Sequence, residues 1–283
     1  MTERPGGIID AHHHLWDPKL REYPWMDGLP ELDRLFESSD LSATTAGWGV
    51  DGTIVVQASP TLEETDWLLG LAEGSELILG VVGWVDLEGE AVGDRLAERA
   101  GSPLVGIRHP AQDEPDATWL TRPEVARGLS AVRDAGLPYD LLVQRPQRAA
   151  ALDVVGTLPD LTFVIDHLGK PDIATGEWDG WHAWIAQMAS HNNVVCKISG
   201  LVTEASWESW REQHVEKYIG AALDLFGPER CMFGSDWPVS LLAASYGAVL
   251  DLANTATAGL SPGEKHSLFS GTATSVYSLE VTA

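Results

Sequence analysis

The apolar residues of this chain fall in short runs separated by helix-compatible sequence. Eight runs rich in β-branched residues stand at 8–12, 53–57, 78–85, 104–108, 139–143, 162–167, 194–199 and 231–236. They are continuous rather than alternating, as expected for strands covered on both faces of a parallel sheet. Helix starts are marked between them. Thr61-Leu62-Glu63-Glu64, Thr121-Arg122-Pro123-Glu124 and Ser261-Pro262-Gly263-Glu264 each place Glu three residues after a hydroxyl, the capping-box spacing. Gly136 and the Gly227-Pro228 pair read as helix stops. No linker, charge block or compositional shift divides the chain, so the pattern predicts an α/β protein forming a single (β/α)8 TIM barrel domain over 1–283. A doubly wound sheet would carry a Gly-rich loop after its first strand. Here that turn reads His-Leu-Trp-Asp-Pro.

In such barrels the chemistry lies at the C-terminal strand ends. The first run ends in Asp10-Ala11-His12-His13-His14. Strand side chains alternate with period two, so His12 and His14 are expected on one face and His13 on the other. Two same-facing imidazoles suit a divalent metal or a polarised carbonyl. Further polar groups at strand ends are Gln57, Trp84, Asp86, Arg108-His109, Gln144, Asp166-His167, Lys197, Ser199 and Asp236. Asp166, directly before His167, is expected at the barrel wall or orienting a neighbour. Arg108 is read either as a structural partner of a carboxylate or as a substrate contact. Of the twelve tryptophans, most are expected in packing; Trp84 and Trp237 follow strand ends as candidate walls for a sugar ring, and Trp25 lies in the long segment after the first strand as a candidate lid.

Composition narrows the partners. A formal net charge of -24 argues against nucleic acid and anionic membrane surfaces, which need cationic patches. The two cysteines, Cys196 and Cys231, sit in apolar runs and read as core. Residues 1–7 contain no apolar signal core, and the longest near-apolar stretch is too short to span a bilayer. A cytoplasmic protein, free of nucleic acid and membrane and open to homo-oligomer formation, is the expectation.

Taken in order, Asp10-Ala11-His12-His13-His14-Leu15-Trp16-Asp17, Val81-Val82-Gly83-Trp84-Val85-Asp86, Gly106-Ile107-Arg108-His109, Gln112-Asp113-Glu114-Pro115, Asp166-His167-Leu168-Gly169-Lys170-Pro171, Cys196-Lys197-Ile198-Ser199-Gly200-Leu201 and Phe233-Gly234-Ser235-Asp236-Trp237-Pro238 resemble the amidohydrolase superfamily. The resemblance covers almost the whole chain. It points to the amidohydrolase-2 type branch of sugar lactonases acting on L-fuconolactone and L-rhamnonolactone, with 2-pyrone-4,6-dicarboxylate lactonase as a relative. It implies a hydrolase whose catalytic centre holds His12, His14, His167 and Asp236, with Gln57, Trp84, Arg108, His109, Lys170, Trp25 and Trp237 as substrate contacts. Two departures bear on metal. Binuclear relatives carry a lysine near the end of the fourth strand, where this chain has Arg108-His109; mononuclear deaminases offer a fifth-strand histidine, where it has Gln144. His12, His14 and Asp236 remain as a depleted ligand set, so the resemblance implies a metal-optional enzyme needing no cofactor or one weakly held Zn²⁺ or other divalent ion. Near the C-terminus, Gly271-Thr272-Ala273 stands where relatives read Gly-Asn-Ala, with Thr272 expected to cap a helix.

The expected reaction opens an aldonolactone. Asp236 acts as general base, and His12, His14 and His167 polarise the carbonyl directly or through one metal. No Gly-x-Ser-x-Gly elbow suggests an acyl-enzyme. Two alternatives stay open: a metal-dependent decarboxylase or cyclic-amide hydrolase on the same barrel, and a non-catalytic sugar-binding barrel.

Overall fold

A computed structural model of the protein describes residues 7–280. The Met1–Gly6 part of the stretch read as lacking a signal core, and the last three residues of the expected domain, lie outside the described residues. All eight apolar runs are strands: β1 (Ile8–His13), β2 (Val50–Val56), β3 (Ile78–Gly83), β4 (Leu104–His109), β5 (Tyr139–Leu141), β6 (Phe163–Ile165), β7 (Val194–Ile198) and β8 (Cys231–Phe233). They form one parallel sheet in the order β1 to β8. A parallel bridge between His13 and Trp237 joins the last strand to the first, with the His14 N–H donating to the Trp237 carbonyl at 2.7 Å. The result is a (β/α)8 barrel. Where β5, β6 and β8 stop short of the expected runs, the chain leaves the ladder to make the turns that carry the site.

The helices are α1 (Ser38–Thr45), α2 (Leu62–Glu73), α3 (Val92–Ala97), α4 (Pro123–Asp134), α5 (Arg148–Thr157), α6 (Asp179–Ala189), α7 (Leu201–Glu204), α8 (Glu216–Phe226), α9 (Tyr246–Ala256), α10 (Pro262–His266) and α11 (Thr272–Val276). Ser261 and Glu264 make the expected capping box before α10, with Pro262 at its first position. Thr61 caps α2 through the Glu64 N–H, but the Glu64 side chain does not return the bond. The box expected at Thr121 does not form. Pro123 opens α4, so the cap position falls to Arg122, and the Thr121 hydroxyl bonds back to Thr118. Thr272 does not cap either: the helix runs straight into it from Ser267–Gly271, and its hydroxyl donates to the Pro228 carbonyl. Gly136 and Gly227 terminate α4 and α8 with positive φ, as the stop signals require.

The barrel interior is filled by Ile54, Val56, Val82, Val164, Val195 and Met232, together with Ile9 and Ala11 of β1. Ala273 and Tyr277 from the C-terminal segment join this cluster. Tyr277 donates its hydroxyl to the buried Asp140 carboxylate of β5 at 2.9 Å. Cys196 and Cys231 are free and buried on paired positions of β7 and β8, where they pack as core. No helix among the described residues is long and apolar enough to cross a membrane.

A hydrogen bond to a buried carboxylate contributes about 1.5–3 kcal/mol. Tyr277→Phe is therefore expected to lower unfolding free energy by about that amount in urea melts at unchanged m-value. A change below about 0.5 kcal/mol would show that the hydroxyl is not engaged.

Candidate active site

Ile9 and Ala11 face the barrel interior, so strict alternation would turn His12 away from the mouth. A register irregularity resolves this. Asp10 pairs with Thr53 and His13 with Val55, three steps on β1 against two on β2. The extra residue brings His12 inward, and His14 follows. His13 faces the wall, where its Nε2 meets Thr53 Oγ1 at 3.0 Å. Asp10 accepts hydrogen bonds from the Ser235 N–H at 2.8 Å and the His12 N–H at 3.2 Å, tying β8 to β1. Burial raises its carboxyl to about 6 against the pull of those bonds.

A second break in alternation follows β6. His167 and Leu168 adopt left-handed backbone, with φ of 53° and 52°, so adjacent Asp166 and His167 both reach the centre. Asp236 is also left-handed, with φ 56°, and its N–H donates to the His12 carbonyl at 2.8 Å. Two glycines make room. A Cβ on Gly234 would lie 2.6 Å from that of His12, and one on Gly200, whose φ is +64°, would lie 2.4 Å from His167 Nδ1.

Four side chains then meet. Nε2 of His12 lies 3.2 Å from Nε2 of His14. Asp236 Oδ1 lies 3.5 Å from His14 Nε2, 3.8 Å from His12 Nε2 and 4.0 Å from His167 Nε2. Each imidazole is held from behind. His14 Nδ1–H donates to the Val56 carbonyl at 2.7 Å, His167 Nδ1 meets Ser199 Oγ at 2.9 Å, and His12 Nδ1 lies 3.2 Å from both Asp166 Oδ1 and Lys197 Nζ. Burial lowers all three imidazoles, His167 to about 4, so each is neutral at pH 7. Burial works to raise Asp236, but the surrounding groups, His167 foremost, outweigh it and hold the carboxyl below its ordinary range.

Beneath this centre lies a buried ion network. Lys197 of β7 sits between Asp140 of β5 and Asp166, 3.1 Å from Asp166 Oδ1, and the Arg108 guanidinium of β4 pairs with Asp166 Oδ2 at 3.0 Å. Burial alone would raise Asp166, yet Lys197, His12 and Arg108 hold it well below the carboxylate range. Burial pushes Asp140 up to about 6 despite Lys197. Asp166 thus faces the interior rather than the wall and orients His12, while Arg108 is both its structural partner and a lining group of the cavity above.

That cavity, about 140 Å³, is lined by His14, His167, Asp236, Gln57, Arg108, Lys170 and Trp25 among the expected residues. Gln112, Thr203 and Glu204 join them. Lys170 bridges Gln112 Oε1 at 3.0 Å and Glu204 Oε1 at 3.2 Å. Gln57 is almost fully buried, and its Oε1 has no partner among the described residues. Three expected contacts need correction. Trp237 is buried edge-on against Phe36 and does not line the cavity. Trp84 donates its indole N–H to His109 Nδ1 at 3.0 Å. His109 in turn stacks on Trp119 and bonds Glu114, so both rings are taken up by packing beside the cavity. Lys197 was visible as a strand-end cation but not as part of the site, and Asp140 was not singled out. Their signal is one charge in each of two otherwise apolar runs, with opposite signs.

The donor set fits a divalent ion. Nε2 of His14 bears a free lone pair because its Nδ1 holds the proton, and acceptors behind His12 and His167 allow the same tautomer there. Ligand atoms of His12, His167 and Asp236 lie within 4.8 Å of one another. His14 Nε2 is as near, 3.2 Å from His12 and 3.5 Å from Asp236, so His167 joins the expected His12, His14 and Asp236 set rather than replacing a member.

The amidohydrolase family model matches residues 9–279. The chain belongs to this family. An L-fucono-1,5-lactonase of Burkholderia multivorans is 38% identical over 283 residues, with 96% of each chain covered. A second, from Burkholderia ambifaria, is 39% identical over 84% of this chain and 83% of that protein. The crystal structure of an amidohydrolase from Burkholderia multivorans with bound zinc superposes with a TM-score of 0.92 at 38% identity, covering 97% of this chain and 100% of that one.

Removing Lys197 leaves Asp166 with Arg108 alone and strips the buried Asp140 of its cation, and breaking a buried pair costs about 3–5 kcal/mol. Lys197→Met should lower stability by that amount in denaturant melts. A loss under about 1 kcal/mol would show that the network does not hold the barrel together.

Proposed function

We propose that this chain is a lactonase that hydrolyses a sugar lactone to its aldonic acid, acting as one barrel domain, with L-fucono-1,5-lactone as the first substrate to test. The observation that carries the reading is the convergence of three neutral imidazole Nε2 atoms around the Asp236 carboxylate, at a small cavity that His14, His167 and Asp236 line. The two Burkholderia relatives of that name, alike over most of both chains, support it.

Asp236 takes a proton from water as the water oxygen attacks the lactone carbonyl carbon. Its depressed carboxyl keeps it ionised for that task. The developing oxyanion needs hydrogen-bond donors. His12 and His167 supply them in the Nε2–H form, with Lys197 and the Ser199 hydroxyl donating to their Nδ1 atoms. His14 is different. Its Nδ1 proton is committed to the Val56 carbonyl, so its Nε2 accepts and cannot polarise a carbonyl by donating a hydrogen bond. We assign it to hold the second hydrogen of the attacking water. When the tetrahedral centre collapses, the bond to the ring oxygen breaks and the Asp236 proton passes to that oxygen. The new carboxylic acid then ionises, releasing the proton an assay detects. A divalent ion, weakly held by His12, His167 and Asp236, would supply Lewis acidity at the carbonyl. A lactone is reactive enough that the donors alone can serve. Gln57 Oε1, an acceptor without a partner, suits a sugar hydroxyl, and Lys170 with Glu204 suits others.

Acid release from L-fucono-1,5-lactone, followed with a pH indicator on chelator-treated enzyme, tests the activity. Turnover supports a metal-optional lactonase, and turnover only after added Zn²⁺ makes the ion essential. No turnover of any aldonolactone in either state rejects the reading. Asp236→Asn should lower kcat by at least about 10²-fold in a normally folded protein, and near-wild-type turnover would remove Asp236 from the base role.

The pH profile carries a second expectation. A general base is active when deprotonated, so activity is lost as pH falls through its depressed carboxyl value, below the ordinary 3.8. The imidazoles, lowered by burial, do not protonate near 6.5. After correction for spontaneous hydrolysis, any acid limb of kcat/KM should lie below pH 6.5, the ordinary imidazole value. An acid limb centred near pH 6.5 would show an imidazole acting as the base.

A further inference from the structure

Glu64 takes no part in this chemistry, yet it is fully buried near the start of α2. A carboxylate there belongs at the surface or in a capping box, and burying it is costly unless donors surround it. Glu64 has three. Its Oε2 accepts from the Ala58 N–H at 2.7 Å and from the Ser59 N–H, and its Oε1 accepts from the Tyr23 hydroxyl at 2.8 Å. These contacts join the turn after β2 to the long segment after β1. Two residues beyond Tyr23, the Trp25 indole N–H donates to the Ala58 carbonyl at 2.9 Å. The Ala58 backbone is therefore gripped by Glu64 at its nitrogen and by Trp25 at its oxygen. Trp25, Ala58 and Pro60 all line the catalytic cavity. Trp25 remains 37% exposed, so packing does not enclose it. Its orientation rests on the Ala58 bond and on the edge of Trp16, 5.4 Å away between ring centres.

We propose that Glu64 is a positioning residue for substrate binding: by clamping the turn at Ala58 and Ser59 and the loop at Tyr23, it fixes Trp25 as the aromatic wall against which the C–H face of the lactone ring rests. This rests on the lactonase reading of the same cavity. A wall that moves by an ångström loses contact with a small ring, so the supporting carboxylate acts on binding rather than on the chemical step. The clamp also occupies the Ala58 and Ser59 amides, leaving them unable to serve the oxyanion.

The test is a double-mutant cycle read on KM and kcat separately, with L-fucono-1,5-lactone as substrate and Trp25→Leu, Glu64→Gln, Tyr23→Phe and the Glu64→Gln/Trp25→Leu pair as variants. Loss of an aromatic contact predicts a KM rise of roughly tenfold for Trp25→Leu. Glu64→Gln and Tyr23→Phe should each raise KM by about three- to fivefold, with kcat moving less than about twofold. The pair should be no worse than Trp25→Leu alone, because Glu64 acts through Trp25. Where Glu64→Gln does not fold, Tyr23→Phe combined with Trp25→Leu completes the same cycle. Wild-type KM in the folded single variants, or KM rises that multiply in the pair, would overturn the positioning role while leaving the lactonase reading intact. Failure of the wild type to open any lactone would instead remove the reading on which the proposal depends.

Discussion

An eight-stranded parallel barrel must join its last strand to its first, and in this protein that seam is also the proposed catalytic centre. The chain after β8 runs beside the end of β1, where the Asp236 N–H donates to the His12 carbonyl and the His14 N–H to the Trp237 carbonyl. Asp10 bonds both sides at once through the Ser235 and His12 amides. The backbone bonds that close the barrel therefore fix the relative positions of His12, His14 and Asp236. Positional error in the site is limited by the fold itself, the condition under which preorganised groups act strongly on a transition state.

The seam alone would not orient the imidazoles. That falls to the ion network below, where Lys197 and Arg108 neutralise Asp140 and Asp166. A buried network of this kind adds little net stability compared with apolar packing, and its value lies in fixing one arrangement. Here the consequence is specific. His12 Nδ1 faces an acceptor, Asp166, and a donor, Lys197, at the same 3.2 Å distance. Its outer Nε2 is therefore able to present either a lone pair or a proton. His14 has no such freedom, because a backbone carbonyl behind it leaves only the lone pair.

The barrel was legible because eight continuous apolar runs separated by helical sequence have few other solutions, and each run became a strand. The four central residues were legible because they fall on strand ends in a fixed order. What alternation could not give was orientation. Asp166 was expected at the barrel wall or orienting a neighbour, and left-handed backbone after β6 brings it to the centre beside His167, where it orients His12. Alternation set His12 and His14 together correctly, yet only a bulge between Asp10 and His13 makes that compatible with an inward Ala11. Trp84, His109 and Trp237 were misplaced for a related reason: an aromatic beside a strand end serves packing as readily as binding, and only three-dimensional neighbours distinguish the two. Glu64 was read as a cap because its spacing from Thr61 fits one. No local pattern shows that its side chain leaves the helix to hold two loops.

The freedom at His12 bears on how a reduced ligand set would suffice in the proposed reaction. With the proton on Nδ1, facing Asp166, His12 presents a lone pair beside those of His14 and His167, an arrangement suited to a cation. With Lys197 donating to Nδ1, the proton moves to Nε2 and His12 becomes an oxyanion donor in its own right. Both forms are neutral and use groups already in place, so the change requires no rearrangement of the barrel. An amide substrate, with its poorer leaving group, would need the stronger polarisation of a cation. An activated ester in a ring needs less, and hydrogen bonds from preorganised donors in a buried site are worth several kcal/mol. In the proposed mechanism, the same buried lysine that stabilises the base of the site would favour the form of His12 that acts without a metal.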